Sequence, residues 1–227
     1  MQNFTDKIVL ITGAGSGTGR SLAQELASRG AVIAAVDINP LGLDETVATI
    51  LAAGGRVKDY VFDTAKHLPV VALVDEVLYD WGRIDILINA AEVHPTDPIL
   101  TMDEWDFHRT LDVNLAGPFF LMQRVAQVMK AQGGSLEASV SLEPSGGMIV
   151  VVGGGVDLGR HDRYRRAKSA RTPVGLPQQP QPNEGAAYLA SQAALAALTQ
   201  VAAQEFKAYN IQVKTIEDFR LMIEEDC

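Results

Sequence analysis

A glycine-rich turn near the start of the chain has the residue types that bind phosphate groups. It reads Thr12-Gly13-Ala14-Gly15-Ser16-Gly17-Thr18-Gly19. An apolar run precedes it and an amphipathic stretch follows it, which predicts a strand, a turn and a helix. Glycines permit a tight turn and a close backbone approach, and the helix N-terminus presents free amide groups and a positive dipole end to an anion. We therefore expect this turn to hold the pyrophosphate of a dinucleotide.

An acidic residue after the second apolar run indicates which dinucleotide would bind. Residues 31–36 lead to Asp37, eighteen positions after Gly19. A carboxylate at this place can accept hydrogen bonds from the adenosine ribose, and it repels a 2′-phosphate. Because neither the turn nor the residues just after Asp37 supply an arginine clamp, the pattern predicts NAD rather than NADP. The alternative interpretation is a glycine-rich turn followed by an incidental aspartate.

The rest of the chain alternates apolar runs with helical periodicity. Strands are predicted at 7–12, 31–37, 57–62, 84–89, 147–152 and 211–216, and helices at 17–29, 41–53, 67–81, 104–131 and 185–208. This alternation is typical of a doubly wound α/β Rossmann fold, in which a mostly or wholly parallel sheet has helices on both faces. We expect a single dinucleotide-binding domain over residues 1–227, with a flexible insertion at 155–184.

Composition and charge exclude several classes of function. A net charge of −9 argues against general binding to nucleic acid or to an anionic membrane. The chain contains no run of about 18 apolar residues, so no transmembrane helix is predicted. The N-terminus has no signal-peptide pattern. The single cysteine, Cys227, leaves no internal disulfide, and we expect a cytoplasmic protein.

One segment departs from the acidic average of the chain. Between Arg160 and Arg171, six basic residues are opposed only by Asp162. Residues 172–183, which contain four prolines and three glutamines, follow it and are expected to be extended. The basic run is interpreted either as a solvated loop that pairs with the acidic body of the chain or as a docking site for an anionic partner.

Five motifs, in order, resemble those of the short-chain dehydrogenase/reductase family over residues 5–216. They are Thr12–Gly19, Val61-Phe62-Asp63-Thr64, Asp85-Ile86-Leu87-Ile88-Asn89-Ala90-Ala91-Glu92, Asp112-Val113-Asn114-Leu115-Ala116-Gly117 and Tyr188-Leu189-Ala190-Ser191-Gln192. The resemblance implies an NAD(H)-dependent oxidoreductase of an alcohol or carbonyl substrate. It also implies a homodimer or homotetramer, with part of the interface on the apolar face of the predicted long helix. That face contains Leu111, Leu115, Phe119, Met122 and Val125.

The resemblance also implies roles for individual residues. Tyr188 would donate or accept a proton, and Asn114 would hold a water of the proton relay. The residues expected to contact NAD are Gly13, Ser16, Gly17, Thr18, Gly19, Asp37, Ile38, Asp63, Thr64, Asn89, Ala90, Ala91 and Gln192. No metal site is predicted, because the four histidines lack metal-binding spacing.

The catalytic motifs depart from the family pattern. Gly153 and Gly154 stand where the family has its serines. Gln192 stands in place of the family's lysine, and Glu92 in place of a glycine. A free tyrosine has a pKa of about 10, and a cation about 5 Å away lowers it by roughly two units at an effective dielectric constant near 20. Gln192 can bind a ribose hydroxyl but carries no charge, so normal turnover is not expected from this set.

Other residues are poor replacements for the missing groups. Tyr164 and Lys168 form a second Tyr-x-x-x-Lys string, but no helical pattern follows them. Ser191 is interpreted as a packing residue. Three serines precede the strand at 147–152 rather than following it: Ser139, Ser141 and Ser145.

The last residues also differ from the family pattern. Residues 217–227 lack the family's Pro-Gly turn, and we expect no substrate lid of the usual kind from so short a segment. The sequence therefore retains the adenosine half of a cofactor site, whereas the nicotinamide and substrate half has changed. Two interpretations of function stay open. One is a divergent NAD(H)-dependent oxidoreductase, and the other is an NAD-binding protein without catalysis that acts as a sensor, a scaffold or a subunit of an assembly.

Overall fold

The structure is a computed structural model, and it describes residues 4–133, 146–153 and 185–216. Several predictions concern residues outside these ranges and stay predictions. They involve the insertion at 155–184 with the basic run Arg160–Arg171, the Tyr164 and Lys168 string, the serines Ser139, Ser141 and Ser145, Gly154 and the segment 217–227. That the whole chain forms one domain also stays a prediction.

Strands and helices alternate along the described part of the chain. The strands are β1 (Ile8–Thr12), β2 (Val32–Asp37), β3 (Arg56–Val61), β4 (Ile86–Asn89), β5 (Met148–Val152) and β6 (Gln212–Ile216). The α-helices are α1 (Gly17–Ser28), α2 (Pro40–Ala52), α3 (His67–Trp81), α4 (Glu104–Leu111), α5 (Gly117–Gly133) and α6 (Ala186–Phe206). A π-helical turn, Asp112–Ala116, joins α4 to α5, and a short 3-10 turn, Lys207–Tyr209, follows α6.

The six strands form one parallel sheet in the order β3-β2-β1-β4-β5-β6. The direction of strand order reverses between β1 and β4, which are paired at the centre of the sheet. The predicted doubly wound α/β Rossmann fold is thus confirmed. In open parallel sheets such a reversal leaves a crevice outside the carboxyl ends of the strands, and ligands bind there.

Alternate residues of each strand face opposite sides of the sheet. Leu10 lies in the apolar cluster formed with α3, α5 and α6, whereas Val9 and Ile11 lie in the cluster formed with α1 and α2. Successive side chains of a strand point to opposite faces, and helices cover both faces of this sheet, so its central strands must be apolar throughout. This explains why β1 is buried along its whole length.

The helix predicted as one element over 104–131 is divided in the structure. The amide of Gly117 donates to the carbonyl of Asp112, five residues earlier, in the π turn between α4 and α5. The next residue, Pro118, has no amide to donate to the carbonyl four residues before it. The regular helical ladder is therefore interrupted here, and a wider turn takes its place. The turn contains Asn114, which is buried.

The sequence predicts a partial subunit interface on the apolar face of this helix, and two of its residues lie elsewhere. Met122 and Val125 belong to the core cluster between the sheet and the helices, so the interface prediction is wrong for them. Their spacing on the helix is that of any core-facing stripe. Phe119 is 41% exposed and stays available for a contact between subunits.

The helix α6 has a composition that also suits a membrane. Among the described residues, the stretch Ala186–Tyr209 has the length and mean hydropathy (1.2) of a membrane-crossing helix. In the fold, α6 packs on β6 and on the π turn and buries Ala187, Leu195 and Ala202. Of the apolar window in that stretch, 33% is buried inside the fold.

A hydrogen-bonded network fixes β3 against α3. The hydroxyl of Tyr60, which is 2% exposed, donates to Asp80 Oδ2 at 2.7 Å and accepts from Trp81 Nε1 at 2.9 Å. Lys58 Nζ donates to the same carboxylate oxygen at 2.6 Å. Burial raises the pKa of Tyr60 well above its ordinary value, and the Lys58 ammonium holds the pKa of Asp80 below its ordinary value. The network thus holds in place the strand that leads to Asp63.

We predict that Tyr60→Phe lowers the free energy of unfolding by about 1–2 kcal/mol, because Asp80 loses a donor and the Trp81 indole loses its acceptor. Urea denaturation at pH 7 measures the change. Tyr79→Phe is the matched control, since Tyr79 lies on the same helix and is 90% exposed. It should change the free energy by less than about 0.5 kcal/mol. Equal effects of the two substitutions would contradict the role given to the network.

Candidate functional site

The carboxyl ends of β1, β2 and β4 open onto a cleft of about 390 Å³. The turn after β1, the ends of β2 and β3, the loop after β4 and the π turn contribute to its walls. Ten residues predicted to contact NAD line this cleft: Gly13, Ser16, Gly17, Thr18, Asp37, Ile38, Asp63, Thr64, Ala90 and Ala91. Three others, Gly19, Asn89 and Gln192, are not part of its walls.

Close backbone contacts account for two glycines of the turn. A Cβ at Gly13, where φ is +68°, would lie 2.8 Å from the carbonyl oxygen of Ala90. A Cβ at Gly19 would lie 2.2 Å from the carbonyl oxygen of Gly13. Gly19 therefore permits α1 to pack closely on the turn.

The N-terminus of α1 is open to the cleft. At Gly17, the first residue of the helix, no atom lies within 4 Å of the place where a Cβ would stand. The preceding residue, Ser16, makes no side-chain capping hydrogen bond, and the first turn contains no acidic residue. The first amides of a helix have no intrahelical acceptor, so these donors suit an anionic ligand. The glycine turn and the N-terminus of α1 therefore fit the phosphates of a dinucleotide.

Backbone amides hold the carboxylate of Asp37 at the end of β2. Asp37 Oδ2 accepts from the amide of Gly15 at 2.9 Å, and Oδ1 accepts from the amide of Asn39 at 2.9 Å. A Cβ at Gly15 would lie 2.8 Å from Asp37 Oδ2, so a side chain at this position would displace the carboxylate from the turn. Each carboxylate oxygen can accept a further hydrogen bond. Asp37 therefore keeps the capacity to bind a diol.

Side chains of α1 and α2 support the glycine turn from the side of the helices. Arg20 donates to the carbonyl of Gly15 and forms an ion pair with Glu45 at 2.9 Å. Thr46 Oγ1 donates to the carbonyl of Ala14 at 2.8 Å. The arginine closest in sequence to the turn is therefore engaged in positioning it.

The loop after β4 is tied to the end of β1 by a single hydroxyl. Thr12 Oγ1 accepts from the amides of Ala90 and Ala91, at 3.1 and 3.2 Å. The preceding residue, Asn89, is 3% exposed, and within the described part of the chain neither polar atom of its side chain has a partner. A buried amide without partners is costly. Asn89 is therefore suited to bind a water or a ligand group that the described residues do not supply.

The side chain of Asn114 joins the π turn, the loop after β4 and α6. Its Oδ1 accepts from the amide of Val93, and its Nδ2 donates to the carbonyl of Val93, each at 2.9 Å. Nδ2 also donates to Ser191 Oγ at 3.1 Å. The Ser191 hydroxyl in turn donates to the carbonyl of Tyr188 at 2.7 Å. Ser191 is buried, as predicted for a packing residue, and in addition it links Asn114 to the helix that carries Tyr188.

The hydroxyl of Tyr188 meets an acidic side chain. It donates to Glu92 Oε2 at 3.3 Å, and the imidazole of His94 stacks on the Tyr188 ring with 3.7 Å between centroids and 22° between planes. The two predicted catalytic residues, Tyr188 and Asn114, are thus brought to the same region by α6 and the π turn. Glu92 and Val93 place that region at the edge of the cleft.

The positions of the family's serine and lysine lie side by side. Gln192 is 5% exposed, and its Oε1 lies 2.8 Å from the place where a Cβ at Gly153 would stand. Gly153 also has a φ of +87°, which strains any residue with a side chain. A serine at Gly153 would therefore need a different backbone conformation and a different Gln192 rotamer.

Several residues of the cleft were not predicted as site residues. Glu92 stood out in the sequence only as a departure from the family pattern. The others are Val36, Phe62, Ala65, Val93, Arg109, Val113 and Val152. Most are immediate neighbours of predicted residues, so sequence position alone could have added them. Arg109 lies on α4, and only the packing of that helix brings it to the cleft.

This sheet order and this cleft define a Rossmann-type α/β protein. The sequence model of the short chain dehydrogenase family matches residues 7–155. An uncharacterised oxidoreductase of Thermotoga maritima is 34% identical over 214 residues, which are 94% of this chain and 71% of that protein. The D-threitol dehydrogenase of Mycolicibacterium smegmatis is 34% identical over 212 residues, with coverages of 92% and 68%. This chain belongs to the short-chain dehydrogenase family of oxidoreductases.

Solved structures agree with this assignment. The crystal structure of NAD+-bound xylitol dehydrogenase superposes with a TM-score of 0.74 at 29% identity, covering 94% of this chain and 70% of that one. A metagenomic short-chain oxidoreductase in complex with NADP, 26% identical, also has a TM-score of 0.74 and covers 94% and 82%. Both cofactors therefore occur among relatives with this fold.

We predict that Asn114→Ala raises the hydrogen-exchange rate of the Val93 amide by roughly three- to tenfold, because that amide loses its acceptor. Ser191→Ala is the matched control, since it removes the neighbouring hydrogen bond and leaves the contacts between Asn114 and Val93 intact. Amide exchange followed by NMR or mass spectrometry measures both variants. An unchanged exchange rate of the Val93 amide in Asn114→Ala would contradict the proposal that the Asn114 side chain clamps the backbone of Val93.

Proposed function

We propose that this chain is an NAD(H)-dependent oxidoreductase that interconverts an alcohol and its carbonyl compound. The observation that carries the proposal is the carboxylate of Asp37, held by the amides of Gly15 and Asn39 beside an open helix N-terminus. This arrangement offers donors for a pyrophosphate and an acceptor for a ribose diol within one cleft. Membership of an oxidoreductase family supports the reaction class.

Electrostatics support NAD over NADP. A 2′-phosphate beside Asp37 would meet a carboxylate, which repels it. Arg20, the basic residue adjoining the glycine turn, is engaged with the Gly15 carbonyl and with Glu45. Among the described residues that line the cleft, Arg109 is the basic one, and it comes from α4 rather than from the strands that would surround the ribose.

The relatives support a small polyol as the substrate. Their names include a D-threitol dehydrogenase, a galactitol 2-dehydrogenase and an NAD-dependent glycerol dehydrogenase. A secondary alcohol next to further hydroxyl groups is the chemistry that these substrates share. We extend that substrate class to this chain, with Tyr188 exchanging a proton with the reacting oxygen and Asn114 holding the loop beside it.

The assembly proposed is a homodimer or homotetramer in the cytoplasm. Three aromatic side chains on α4 and α5 are at least 41% exposed: Trp105, Phe107 and Phe119. Aromatic residues are enriched in the buried centres of protein interfaces. A second copy of the chain would cover them by packing these helices together.

A second candidate function is cofactor binding without turnover. The observation that favours it is the pair formed by Gln192 and Gly153, where an uncharged amide fills the space beside a glycine with φ of +87°. Neither residue can supply the cation or the hydroxyl that the family pattern uses at these positions. In this case the chain would act as a sensor of NAD(H), as a scaffold or as a subunit of an assembly.

Calorimetric titration separates these functions. We predict that NADH binds the purified chain at least tenfold more tightly than NADPH and than ADP-ribose, and each tenfold step corresponds to about 1.4 kcal/mol. Asp37→Ala should weaken NADH binding and reduce its advantage over NADPH. Asp44→Ala, a substitution of an exposed carboxylate on α2, should change neither affinity.

The possible results have distinct meanings. Absence of NADH binding would contradict both functions. Equal affinities for NADH and ADP-ribose would mean that the nicotinamide end is not recognised, which would favour binding without turnover. A preference for NADPH would contradict the role given to Asp37.

A further inference from the structure

The carboxylate of Glu92 occupies a place beside Tyr188 that the family pattern does not assign to an acid. Tyr188 Oη donates to Glu92 Oε2 at 3.3 Å. In the family pattern a lysine four residues after the tyrosine favours loss of the phenolic proton, and here that residue is Gln192. Among the residues that the structure describes, the charged side chain that contacts the Tyr188 hydroxyl is thus an anion, whereas the family pattern places a cation four residues after the tyrosine.

Backbone contacts on both sides fix Glu92 in this position. The amide of Ala91, one residue before it, donates to Thr12 Oγ1 at 3.2 Å. The amide and carbonyl of Val93, one residue after it, both bond to Asn114 at 2.9 Å. His94 then stacks on the Tyr188 ring. The backbone from Ala91 to His94 is thus held near α6, which places the Glu92 side chain within reach of the Tyr188 hydroxyl.

The contact between the Tyr188 hydroxyl and the Glu92 carboxylate favours a route for the substrate proton that differs from transfer to a tyrosinate. An adjacent anion disfavours tyrosinate, so this contact favours the neutral phenol at Tyr188. A phenol can, however, accept one proton at its oxygen while it donates its own to a neighbouring acceptor. Glu92 Oε2 is that acceptor in this structure.

We propose that Tyr188 and Glu92 form a proton relay in which the carboxylate is the terminal acceptor. During oxidation of the alcohol, the O–H proton of the substrate passes to Tyr188 Oη as the Tyr188 proton passes to Glu92 Oε2. Bound NAD+ would supply the acceptor for the hydride of the carbinol carbon, so that the electron pair of the O–H bond would form the carbon–oxygen double bond. Reduction of the carbonyl compound reverses each transfer. Glu92 acts through Tyr188, and the inference rests on the function proposed above.

Other charged or titratable groups surround this pair. His94 stacks on the Tyr188 ring, and Arg109 and Asp63 line the same cleft as Glu92. Glu92 itself is exposed, so water screens its charge. The effect of the carboxylate on the phenol is therefore expected to be roughly tenfold in equilibrium constant, the size of a close pair of charges partly screened by water.

The first test measures the ionisation of the Tyr188 hydroxyl by absorbance, without any cofactor. Tyrosinate absorbs near 295 nm. The titration is recorded for the unmodified chain and for Glu92→Gln, and then for each of them with Tyr188→Phe added. The difference within each pair is the contribution of Tyr188. In Glu92→Gln, tyrosinate at Tyr188 should form at a pH about one unit lower than in the unmodified chain. Glu104→Gln, at a glutamate whose side chain is 91% exposed on α4, should leave the titration unchanged. An unshifted titration in Glu92→Gln would overturn the proposal.

The second test compares the effect of Glu92→Gln on kcat with its effect on the affinity for NADH. With NAD+ and a panel of small polyols, Glu92→Gln should lower kcat at least thirtyfold while the affinity for NADH stays within twofold. Retention of kcat in Glu92→Gln would overturn the relay, and so would absence of turnover by the unmodified chain when NADH binds. Absence of NADH binding would instead contradict the proposed function, and the absorbance titration would still report on Glu92 and Tyr188.

Discussion

The site depends on the close approach of two backbone segments at the centre of the sheet. The glycine turn after β1 and the loop after β4 come together where the strand order reverses, and Thr12 Oγ1 accepts the amides of Ala90 and Ala91 there. Gly13 makes this approach possible, since a side chain would overlap with the carbonyl of Ala90. Both halves of the cleft are fixed relative to each other by this contact. The carboxylate of Asp37 and the loop that carries Glu92 therefore keep their places in the walls of one cleft.

A second constraint comes from the π turn between α4 and α5. Pro118 cannot extend the hydrogen-bond ladder of α4, and the resulting π turn contains the buried Asn114. Asn114 then bonds to both polar groups of Val93 and to Ser191. One amide side chain thereby positions the loop after β4 against α6. In this structure the residue is a clamp for the segment that faces Tyr188, which is a role that its place in a motif does not reveal.

Sequence patterns predicted the parts of the fold that local chemistry determines. Continuous apolar strands, amphipathic helices and glycines at a tight turn each have a local physical cause, so the doubly wound sheet and ten cleft residues could be predicted. The division of the long helix was missed, although Gly117-Pro118 was its signal. Met122 and Val125 were assigned to an interface because a helical stripe looks the same whether a core or a subunit covers it. Arg109 reaches the cleft through the packing of α4, for which the sequence alone carries no spacing rule, whereas Glu92 directly follows Ala91 and only its contact with Tyr188 depends on tertiary packing.

The sign of the charge next to Tyr188 links these observations to chemistry. A cation near a phenol stabilises tyrosinate, and the tyrosine can then act as a base by itself; a carboxylate stabilises the neutral phenol, which must pass its proton on. Gln192 replaces the lysine of the family pattern, and Glu92 adds an acid where that pattern has a glycine. These would be two unrelated changes if Glu92 lay far from Tyr188. The clamp at Val93 places that acid within hydrogen-bonding distance of the tyrosine hydroxyl. In the proposed relay, the two departures from the family pattern become one change, in which the cation that assists the tyrosine is replaced by a carboxylate that accepts its proton.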